Sequence, residues 1–423
     1  MSSRSPARLL DLANQSLLRN EAPAVASLES LPAQLFLPLF LEAVAGRHSK
    51  TLKAMVQVWP FSHLPLVTLM KAQQPHQDIL KAVLHGLHVP LVQKICPRRS
   101  KLKVLGLQTA NTNFWNTWPG TWERPSVCSL EEPEASQPKI KRGKWMIQVL
   151  LEDFCLQKAT PDEFLTFLMK RVKQGKGLPQ LCCRKLEFLD MPLGHIQKIL
   201  RMVQLDCVQE VEVNGHWDLL TLAGFAPHLS QMVNVSRLRV SHIMTISFIP
   251  WAADEVDKLL SQFSAQLLLH QLQELHLDSV FFLEGCLDQV LRCLKSPLVI
   301  LLITNCLLLE SDLTYLSSCL NTSHLTHLHL ACSGPLLPAL MSTWLGHLLE
   351  RTSATFHYLS FDACEISNSQ LTTNLLALDY CSHRTFNFSG NPVSRAVLEG
   401  LLWHTLWLSK FRLGMFPAPL ECF

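Results

Sequence analysis

The sequence predicts an α/β solenoid, in which short parallel strands alternate with helices along the chain, preceded by a helical segment. Three observations support this prediction. A leucine-rich frame recurs at steps of 25 to 31 residues over much of the second half of the chain. Amphipathic stretches such as LEGCLDQVLRCL follow copies of the frame. Residues 6–100 lack the frame but place apolar residues at helical spacing.

The frame sets apolar residues three, two and three positions apart. In LQELHLDSV it begins at Leu272 and ends at Val280, with Leu275 and Leu277 between them. Side chains alternate between the two faces of a strand, so Leu275 and Leu277 point to the same side. Other copies begin at Val208, Val235, Leu298, Leu325, Phe356, His383 and Leu408, and looser ones lie near Leu102 and Leu186. This spacing is the signature of leucine-rich repeats.

The last position of the frame holds Cys306, Cys364 or Asn391 in three copies. We expect an Asn side chain there, or the buried thiol that replaces it, to pack under the turn that ends the strand. A single unit cannot bury its apolar side, so neighbouring units stack to form one continuous core. Stacking explains how the chain carries the uncharged run LVILLITNCLLL, which is shorter than the roughly 20 apolar residues that cross a bilayer.

Two domains are predicted: an N-terminal helical cap over residues 1–100 and the solenoid over residues 101–423. The segment RLLDLANQSLLRN opens the cap with an apolar helical face. Further along, KTLKAMVQVWPFSHLPLVTLMK predicts two helices separated at Pro60 and Pro65. A stretch rich in Pro, Ser, Trp and charged residues predicts a polar loop insert in the solenoid at about 110–145.

Charge and targeting signals limit the possible partners and location. Residues 1–110 hold 13 Lys or Arg against 5 Asp or Glu, whereas the remainder holds 24 against 29. Few aromatic residues are interleaved with the basic ones, and no nucleic-acid motif is present, so no direct nucleic-acid binding is expected. MSSRSPARLLDLANQ lacks the apolar stretch of a signal peptide, and no membrane association is expected. We expect a cytoplasmic location, with the nucleus as an alternative, and fourteen reduced cysteines.

No catalytic or metal-binding constellation stands out. The chain has no CxxC pair and no HExxH motif, so no metal and no other cofactor is expected. His327 and His329 share one face of a predicted strand, but no nucleophile or carboxylate is spaced with them. A Cys–His nucleophile pair stays open, because spatial neighbours are not visible in a sequence. Most cysteines nevertheless occupy core positions of the repeats, and we expect the protein not to be an enzyme.

Several segments closely resemble the PRAME family, named for preferentially expressed antigen in melanoma. They are LLDLANQSLL, LPAQLFLPLF, TLKAMVQVWPF, LRMVQLDCVQE and VFFLEGCLDQVLR, and the resemblance runs from about Pro6 to Leu420. It implies a leucine-rich-repeat horseshoe similar to ribonuclease inhibitor. It also implies that the protein is the substrate-recognition adaptor of a cullin-RING ubiquitin ligase. That ligase contains elongin B, elongin C and a cullin with its RING subunit, and the adaptor recruits a protein client for ubiquitination and proteasomal degradation.

The resemblance further implies links to repression of transcription, retinoic acid receptor signalling, cell proliferation, and restraint of apoptosis and differentiation. In the family the array is expected to continue beyond PAPLECF, where this sequence stops, with helices that cap the last repeat. Those helices are expected to stabilise the last repeat and to take part in any partner site there.

Two motifs of the family carry over to this sequence. An elongin-binding helix has the pattern Leu-x-x-x-Cys/Ala-x-x-x-aliphatic, which Leu9, Ala13 and Leu17 match. The small central residue lets such a helix lie close in an apolar groove. A cullin-selecting box follows the pattern aliphatic-Pro-x-x-aliphatic, which Leu31, Pro32 and Leu35 match. Both patterns also fit a cap helix that covers the first repeat, so that alternative stays open.

A second function class is a nuclear-receptor corepressor-type binding protein without a role in a ubiquitin ligase. Family members carry LxxLL boxes, and this chain has LVILL from Leu298, LGHLL from Leu345 and LEGLL from Leu398. Leucine-rich repeats produce this spacing by default. In the first copy, Leu301 is expected to point into the core.

The client would bind to the concave face of the array. The residues between the inward leucines point to this face, and charged rims surround an apolar centre at Ile300 and Leu302. Desolvated apolar centres carry most of the binding energy in protein interfaces. The predicted client-binding residues are His276, Ile300, Leu302, His329 and Tyr358. A solvated sheet surface without a ligand is the alternative.

Overall fold

The structure is a computed structural model of the 423-residue chain. It describes residues 9–66, 77–93, 99–107, 147–157, 166–167, 170, 180–215, 217–243, 253–266, 269–331, 341–352, 355–369, 371–372, 385–406 and 412–422. The chain forms two compact units, and each is described by itself. The first comprises Met1–Phe154, Thr160–Cys183 and Lys198–Gln204, and the second comprises Cys155–Ala159, Arg184–Gln197 and Leu205–Phe423. The predicted domain boundary at residue 100 stays a prediction.

The first unit begins with helices and continues with parallel strands. Its helices are α1 (Leu9–Leu18), α2 (Glu21–Ser27), α3 (Ala33–Ala45), α4 (Ser49–Gln57) and α5 (Gln77–Gln93). Its strands are β1 (His63–Pro65), β2 (Val104–Gly106) and β3 (Gln148–Gln157), whose residues from Cys155 onward belong to the second unit. β1 pairs with β2, and β2 pairs with β3, in parallel.

The second unit repeats a strand followed by a helix. The strands are β4 (Gln180–Leu189, shared with the first unit), β5 (Glu210–Asn214), β6 (Arg237–Ser241), β7 (Glu274–Asp278), β8 (Ile300–Thr304), β9 (His327–Ala331), β10 (Tyr358–Phe361), β11 (Thr385–Asn387) and β12 (Leu413–Met415). The helices are α6 (Leu193–Leu200), α7 (Leu219–Leu229), α8 (Ala253–Gln266), α9 (Leu287–Leu291), α10 (Glu310–Ser318), α11 (Met341–Thr352) and α12 (Arg395–Leu406). From β4 to β12, each strand pairs in parallel with the next.

The register of the sheet confirms the predicted repeat frame up to β11. The copy predicted from Leu408 is wrong, because Gly414 rather than Phe411 lies beside Phe386 and Leu413 lies beside Thr385. Leu275 on β7 lies beside Leu301 on β8, which lies beside Leu328 on β9. These leucines are buried, whereas the residues between them on each strand are half-buried and face the other side of the sheet. The mixed α/β, solenoid-like architecture predicted from the sequence is therefore confirmed, because parallel strands joined by helices place one apolar face against the helices.

The chain leaves its strands through a left-handed residue that occupies one fixed position of the frame, just before the last one. A positive φ is uncommon for residues other than glycine, so its recurrence at equivalent positions identifies a common turn. Gly215 has a φ of 139°, and a Cβ atom there would lie 2.4 Å from an Asp190 carboxylate oxygen. The residues at this position are Asp190, Gly215, His242, Ser279, Asn305, Ala363 and Gly390.

The last position of the frame secures this turn, as predicted. The Asn391 side-chain oxygen accepts hydrogen bonds from the Cys364 and Ile366 amides at 3.1 and 2.9 Å. Its amide nitrogen donates to the Phe361 carbonyl at 2.7 Å. In an earlier repeat the Cys306 thiol takes the same place and accepts from the Val280 amide at 3.4 Å. Both side chains are buried, so they pair backbone groups that water cannot reach.

A buried carboxylate that the sequence analysis did not identify performs a similar task. Asp312, at the start of α10, is 2% exposed. Its two oxygens accept hydrogen bonds from the amides of Gly285 and Leu309 at 2.8 Å and of Leu287 at 3.1 Å. A carboxylate that accepts several backbone hydrogen bonds compensates for its loss of hydration. Asp312 thus connects the helix of one repeat to the loop of the repeat before it.

The first helix of the pair predicted around Pro60 and Pro65 is α4, and β1 at His63–Pro65 occupies the predicted break, whereas residues 67–76 of the second helix lie outside the described residues. Trp59 is fully buried, packs edge-to-face against Phe36 and Phe40, and donates a hydrogen bond from Nε1 to the His63 carbonyl at 3.0 Å. These contacts hold the chain extended after Pro60, where a proline already disfavours a continuing helix.

The polar loop insert and the reduced cysteines were also predicted from the sequence. The polar loop insert predicted at about 110–145 lies outside the described residues. β3 begins directly after that segment and was not predicted. Cys182 and Cys207 are disulfide-bonded, so the expectation of reduced thiols is wrong for these two residues. The free cysteines among the described residues include the buried Cys306 and Cys364.

Leu301→Ala tests the repeat register. Leu301 is fully buried between neighbouring strands and helices, so its truncation leaves a cavity and lowers the free energy of unfolding by about 2–5 kcal/mol. The control is Leu320→Ala, because Leu320 is 82% exposed in the same unit. Chemical denaturation measures both variants. Equal stability of the two variants would mean that the frame is out of register.

Asn391→Ala tests the turn that ends each strand. The substitution leaves two buried amides without their acceptor, which costs about 1–3 kcal/mol for each group. Asn234→Ala is the matched control, because exposed Asn234 makes one hydrogen bond, to the Asp206 carbonyl at 2.6 Å. We expect a clear loss of melting temperature for the first variant and almost none for the second. A neutral Asn391→Ala would contradict the proposed role of this side chain.

Candidate functional site

The first candidate surface is one side of helix α1, in the first unit. Leu9 is 88% exposed, Ala13 is exposed and Leu17 is half-buried. Leu12, which the sequence analysis did not single out, is 54% exposed and extends the same apolar side. Residues at i, i+3, i+4 and i+8 lie along one side of a helix, so these four form a stripe. We call this stripe the α1 face.

The opposite side of α1 explains why the α1 face is exposed. Asn14 and Leu18 are buried there, at 7% and 1% exposure. The helix therefore packs on the first unit through one side and presents apolar residues to solvent on the other. The alternative of a cap helix predicts that the matched pattern packs inward, but in the described structure of α1 the pattern residues Leu9 and Ala13 point outward.

The residues of the predicted cullin-selecting box lie at the start of α3. Pro32 precedes the helix with φ −54° and ψ 140° and is exposed, whereas Leu31 and Leu35 are half-buried. The Arg99 guanidinium donates hydrogen bonds to the carbonyls of Leu31 and Leu28. These bonds fix the path of the chain into α3, so that Pro32 lies at a defined position on the surface of the first unit.

The second candidate surface is the open face of the sheet in the second unit, on the side away from the helices. Leu302 on β8 lies between His276 on β7 and His329 on β9, and Ile300 on β8 comes two residues before it on the same face. All four are half-buried, as is Tyr358 on β10. The structure therefore brings all five predicted client-binding residues together on four neighbouring strands. His327 belongs to the same group, because its ring stacks on Tyr358 with centroids 5.8 Å apart.

The imidazoles of this group are uncharged at neutral pH. Burial lowers the pKa of His276, and the neighbouring Arg239 lowers it further. Burial also lowers the pKa of His327 and of His329 from the usual value of 6.5. The centre of the open face is thus apolar and aromatic without net charge at pH 7. We call it the open-face patch: His276, Ile300, Leu302, His327, His329 and Tyr358.

A network of ion pairs borders the open-face patch on β4 to β7. The Lys185 amino group lies 2.7 Å from the Glu212 carboxylate. Arg237 lies between two carboxylates, 2.7 Å from Glu210 and 2.5 Å from Glu274. Glu187 and Arg239 lie at the margin, with ion-pair distances of 3.9 Å. Since each of these charges has a partner of opposite sign, the network orders this border of the face.

The protonation behaviour of the network agrees with this arrangement. Hydrogen bonds from Arg237 lower the pKa of Glu274, despite the burial that would raise it. Burial would lower the pKa of Lys185, but its hydrogen bond to Glu212 and the nearby carboxylates together raise it. Glu274 and Lys185 are therefore charged at neutral pH. The predicted charged rim exists on this side of the patch, but its charges are paired with one another.

The described residues offer little for chemistry or metal binding. Among them, no group of three or more His, Cys, Asp or Glu side chains could hold a metal ion. Burial raises the pKa of the Cys306 thiol to about 11 and, together with Asp153, that of Cys183 to about 12. These thiols are protonated core groups rather than activated nucleophiles. Within the described parts of the chain, no helix is long and apolar enough to cross a membrane.

The two surfaces differ in how far the sequence could identify them. The strand register followed from the repeat frame, so the sequence placed the members of the open-face patch correctly. The pairing of Lys185 with Glu212 and of Arg237 with Glu274 was not predicted, because it depends on which strands are neighbours. A helical projection of α1 would have added Leu12 to the α1 face.

Comparisons with known proteins match both halves of the chain. The family model for the PRAME N-terminal domain matches residues 6–115, and that for the PRAME C-terminal domain matches residues 147–423. Each curated relative below aligns with 100% of this chain and comes from Homo sapiens. PRAME family member 20 is 46% identical over 428 residues, with 88% of its own length covered.

Two further relatives are similarly close. PRAME family member 8 is 44% identical over 426 residues, with 88% of its length covered. PRAME family member 12 is 44% identical over 426 residues, with 86% covered. Identity at this level along the whole chain, together with the two domain matches, shows that the chain belongs to the PRAME family.

Proposed function

We propose that the protein is a non-catalytic substrate-recognition adaptor of a cullin-RING ubiquitin ligase. The α1 face binds elongin C in its complex with elongin B, and the box at Leu31, Pro32 and Leu35 selects the cullin with its RING subunit. The second unit forms a leucine-rich-repeat horseshoe, and its open-face patch recruits a protein client for ubiquitination and proteasomal degradation. The expected site of action is the cytoplasm, with the nucleus as an alternative.

The exposure of the α1 face is the observation that carries the elongin part of the proposal. Burying a leucine side chain against a partner contributes about 1.5–3 kcal/mol of binding free energy. Leu9 is 88% exposed and the neighbouring Leu12 is 54% exposed, so this apolar surface favours a protein partner. An apolar helix side of two turns fits a hydrophobic groove in the helix-in-groove mode. Ala13 at its centre allows a close approach of the two backbones.

The composition of the open-face patch supports the client part of the proposal. Protein interfaces place an apolar and aromatic centre inside a polar border, and the patch has this arrangement. Ile300 and Leu302 supply aliphatic surface, and the stacked rings of His327 and Tyr358 supply a rigid aromatic wall. The paired charges on β4 to β7 form the border, where they favour particular clients more than they add to affinity.

The second candidate function is a corepressor-type binding protein for a nuclear receptor. It would account for the transcriptional and retinoic acid links of the family, but the LxxLL segments give it little support. Leu345, Leu348 and Leu349 are fully buried. Leu298 and Leu301 are buried as well, and the last three residues of LVILL lie in β8 rather than in a helix. In LEGLL, Leu401 is fully buried and Leu402 is 40% exposed. A receptor would therefore have to bind through the open-face patch.

A double substitution on the α1 face tests the adaptor function. Leu9→Asp combined with Ala13→Asp places two charges where the proposal requires a desolvated apolar contact. We expect the variant to lose at least about tenfold in affinity for the elongin B–elongin C complex and to co-purify without the cullin. The measurement is co-purification followed by titration calorimetry with purified elongin B–elongin C.

Gln15→Asp is the matched control for that experiment. Gln15 is exposed on a different side of α1, so the substitution introduces the same charge outside the α1 face. It should retain the whole complex. Circular dichroism of each variant checks that the helix persists. Full retention of elongins and cullin by the folded double variant would refute the proposed role of α1.

Leu302→Glu tests the client-binding role of the open-face patch. Leu302 is half-buried at the centre of the patch, between two neutral imidazoles, so a carboxylate there disrupts the apolar contact. We expect the variant to keep the elongins and to lose a set of co-purified, ubiquitinated proteins in quantitative mass spectrometry. Leu320→Glu, on an exposed site outside the patch, should keep that set. An identical set for both variants would exclude the patch as the client site.

A further inference from the structure

The open face of the second unit carries an aspartate that is held by neutral donors rather than by a basic partner. Asp278, the last residue of β7, accepts hydrogen bonds from the Thr304 hydroxyl at 2.5 Å and from the Asn305 side-chain amide at 2.9 Å. The His242 imidazole lies 3.8 Å from the same carboxylate. These contacts fix the position of the carboxylate on the face, but they supply no lysine or arginine.

Asp362 occupies the same position of the repeat frame three repeats later, directly after β10. Its carboxylate accepts a hydrogen bond from the Ser389 hydroxyl at 2.8 Å. Burial lowers the pKa of His329, and the nearby Asp362 carboxylate opposes this effect, so Asp362 lies close to the open-face patch. Among the residues that the structure describes, no lysine or arginine lies at ion-pair distance from either aspartate. Both carboxylates can therefore take a cation from a partner.

Beside each aspartate, the open face buries a polar atom that makes no hydrogen bond. His276 comes two residues before Asp278 and Ser360 two residues before Asp362, so each pair shares the open side of its strand. Ser360 is 0% exposed, and its Oγ has no hydrogen-bond partner. Nε2 of His276 has none either, because the Glu274 carboxylate at 3.8 Å is beyond hydrogen-bond distance. Buried polar atoms of folded proteins nearly always have a partner, so these two indicate that a ligand completes the face.

The strand register places these two polar pairs on either side of an apolar interval. His276 lies beside Leu302, Leu302 lies beside His329, and His329 lies beside Ser360. Neighbouring strands are about 4.8 Å apart, so β7 and β10 are separated by about 14 Å. The side chains of Leu302 and His329 occupy the interval between them. The row thus has an acidic corner at each end and an uncharged surface in the middle.

We propose that the open-face patch recognises an extended client segment in which two basic residues, four positions apart, flank an apolar residue midway between them. The segment crosses β7 to β10, and its basic side chains contact the Asp278 and Asp362 carboxylates. Its apolar side chain lies on Leu302 and the His329 ring. An extended chain rises about 3.3–3.4 Å per residue, so residues four apart are separated by about 13.5 Å and point to the same side. This inference rests on the proposed function, since it names the kind of client that the patch takes.

Charge complementarity favours a basic client over an acidic or a purely apolar one. An acidic segment would place like charges beside Asp278 and Asp362, and a purely apolar segment would remove both carboxylates from water without a cation. A guanidinium has five N–H donors, so an arginine that reaches Asp362 can also donate to the Ser360 hydroxyl once the side chains that cover it turn aside. An arginine at Asp278 can do the same with Nε2 of His276, in the tautomer that leaves this nitrogen unprotonated.

The first test compares the binding of two defined peptides to the full chain alone. The probe is a labelled nonapeptide with arginine at its third and seventh positions, leucine at its fifth, and glycine or serine elsewhere. The comparison peptide has glutamate in place of both arginines. Fluorescence polarisation at about 50 mM salt should show at least about tenfold tighter binding of the probe, and the difference should shrink at about 500 mM salt, which screens ion pairs. Equal affinity for the two peptides, no measurable binding of either, or a preference for the glutamate peptide would overturn the proposal.

Substitutions of the two aspartates assign the contacts. Asp278→Asn and Asp362→Asn each remove a charge but keep an oxygen that accepts the existing hydrogen bonds, so the melting temperature should stay unchanged. We expect each variant to bind the probe about five- to tenfold more weakly. Glu350→Gln, at an exposed position of α11, is the matched control and should bind the probe like the unsubstituted chain. Unchanged affinity of both asparagine variants would refute the contacts.

Comparison with the Leu302→Glu experiment separates this inference from the proposed function. Because peptide binding requires neither elongin nor ubiquitin, the probe can bind as expected even if the adaptor function is wrong. The asparagine variants are therefore also expressed in cells, where each should lose the ubiquitinated proteins that Leu302→Glu loses. If Asp278→Asn and Asp362→Asn both keep that set, the patch is the client site but the basic motif is wrong.

Discussion

The stacking of each repeat on its neighbour is the constraint on which the second unit depends. Leu275, Leu301 and Leu328 lie in one row across three strands, and each is covered only because the next strand and helix are present. The backbone meets the same requirement at the turns, where Asn391, Cys306 and Asp312 pair amides that the stack has removed from water. Apolar and polar groups thus impose the same geometry on successive repeats.

This constraint also explains where apolar residues stay exposed. Inside the stack, a strand residue of the frame is buried on both sides by its neighbours. Where a helix has packing on one side only, apolar side chains face solvent. The α1 face is of this kind, as the exposure of Leu9 indicates. The open-face patch is different, because its residues alternate with the core leucines and are half-buried by the sheet itself.

The sequence predicted those features that repeat, and it failed where the geometry is local or depends on neighbours. The inward leucines, the turn position of Asn391 and the members of the open-face patch follow from a spacing that recurs many times. β1 was missed because three residues between two prolines carry no periodic signal, and its extended form depends on the contacts of Trp59. Asp312 was missed because its three amide partners come from the preceding loop and its own helix start. The ion pair between Arg237 and Glu274 requires the strand register.

The α1 face and the open-face patch lie in different units of the chain, which suits a protein that binds its ligase partners with one surface and its client with another. The most direct measurement is hydrogen–deuterium exchange of the full chain with and without elongin B–elongin C. The account predicts slower exchange in residues 9–18 and unchanged exchange in residues 272–331, which contain the centre of the patch. Unchanged exchange in α1 under saturating elongins, or protection confined to the patch, would contradict it.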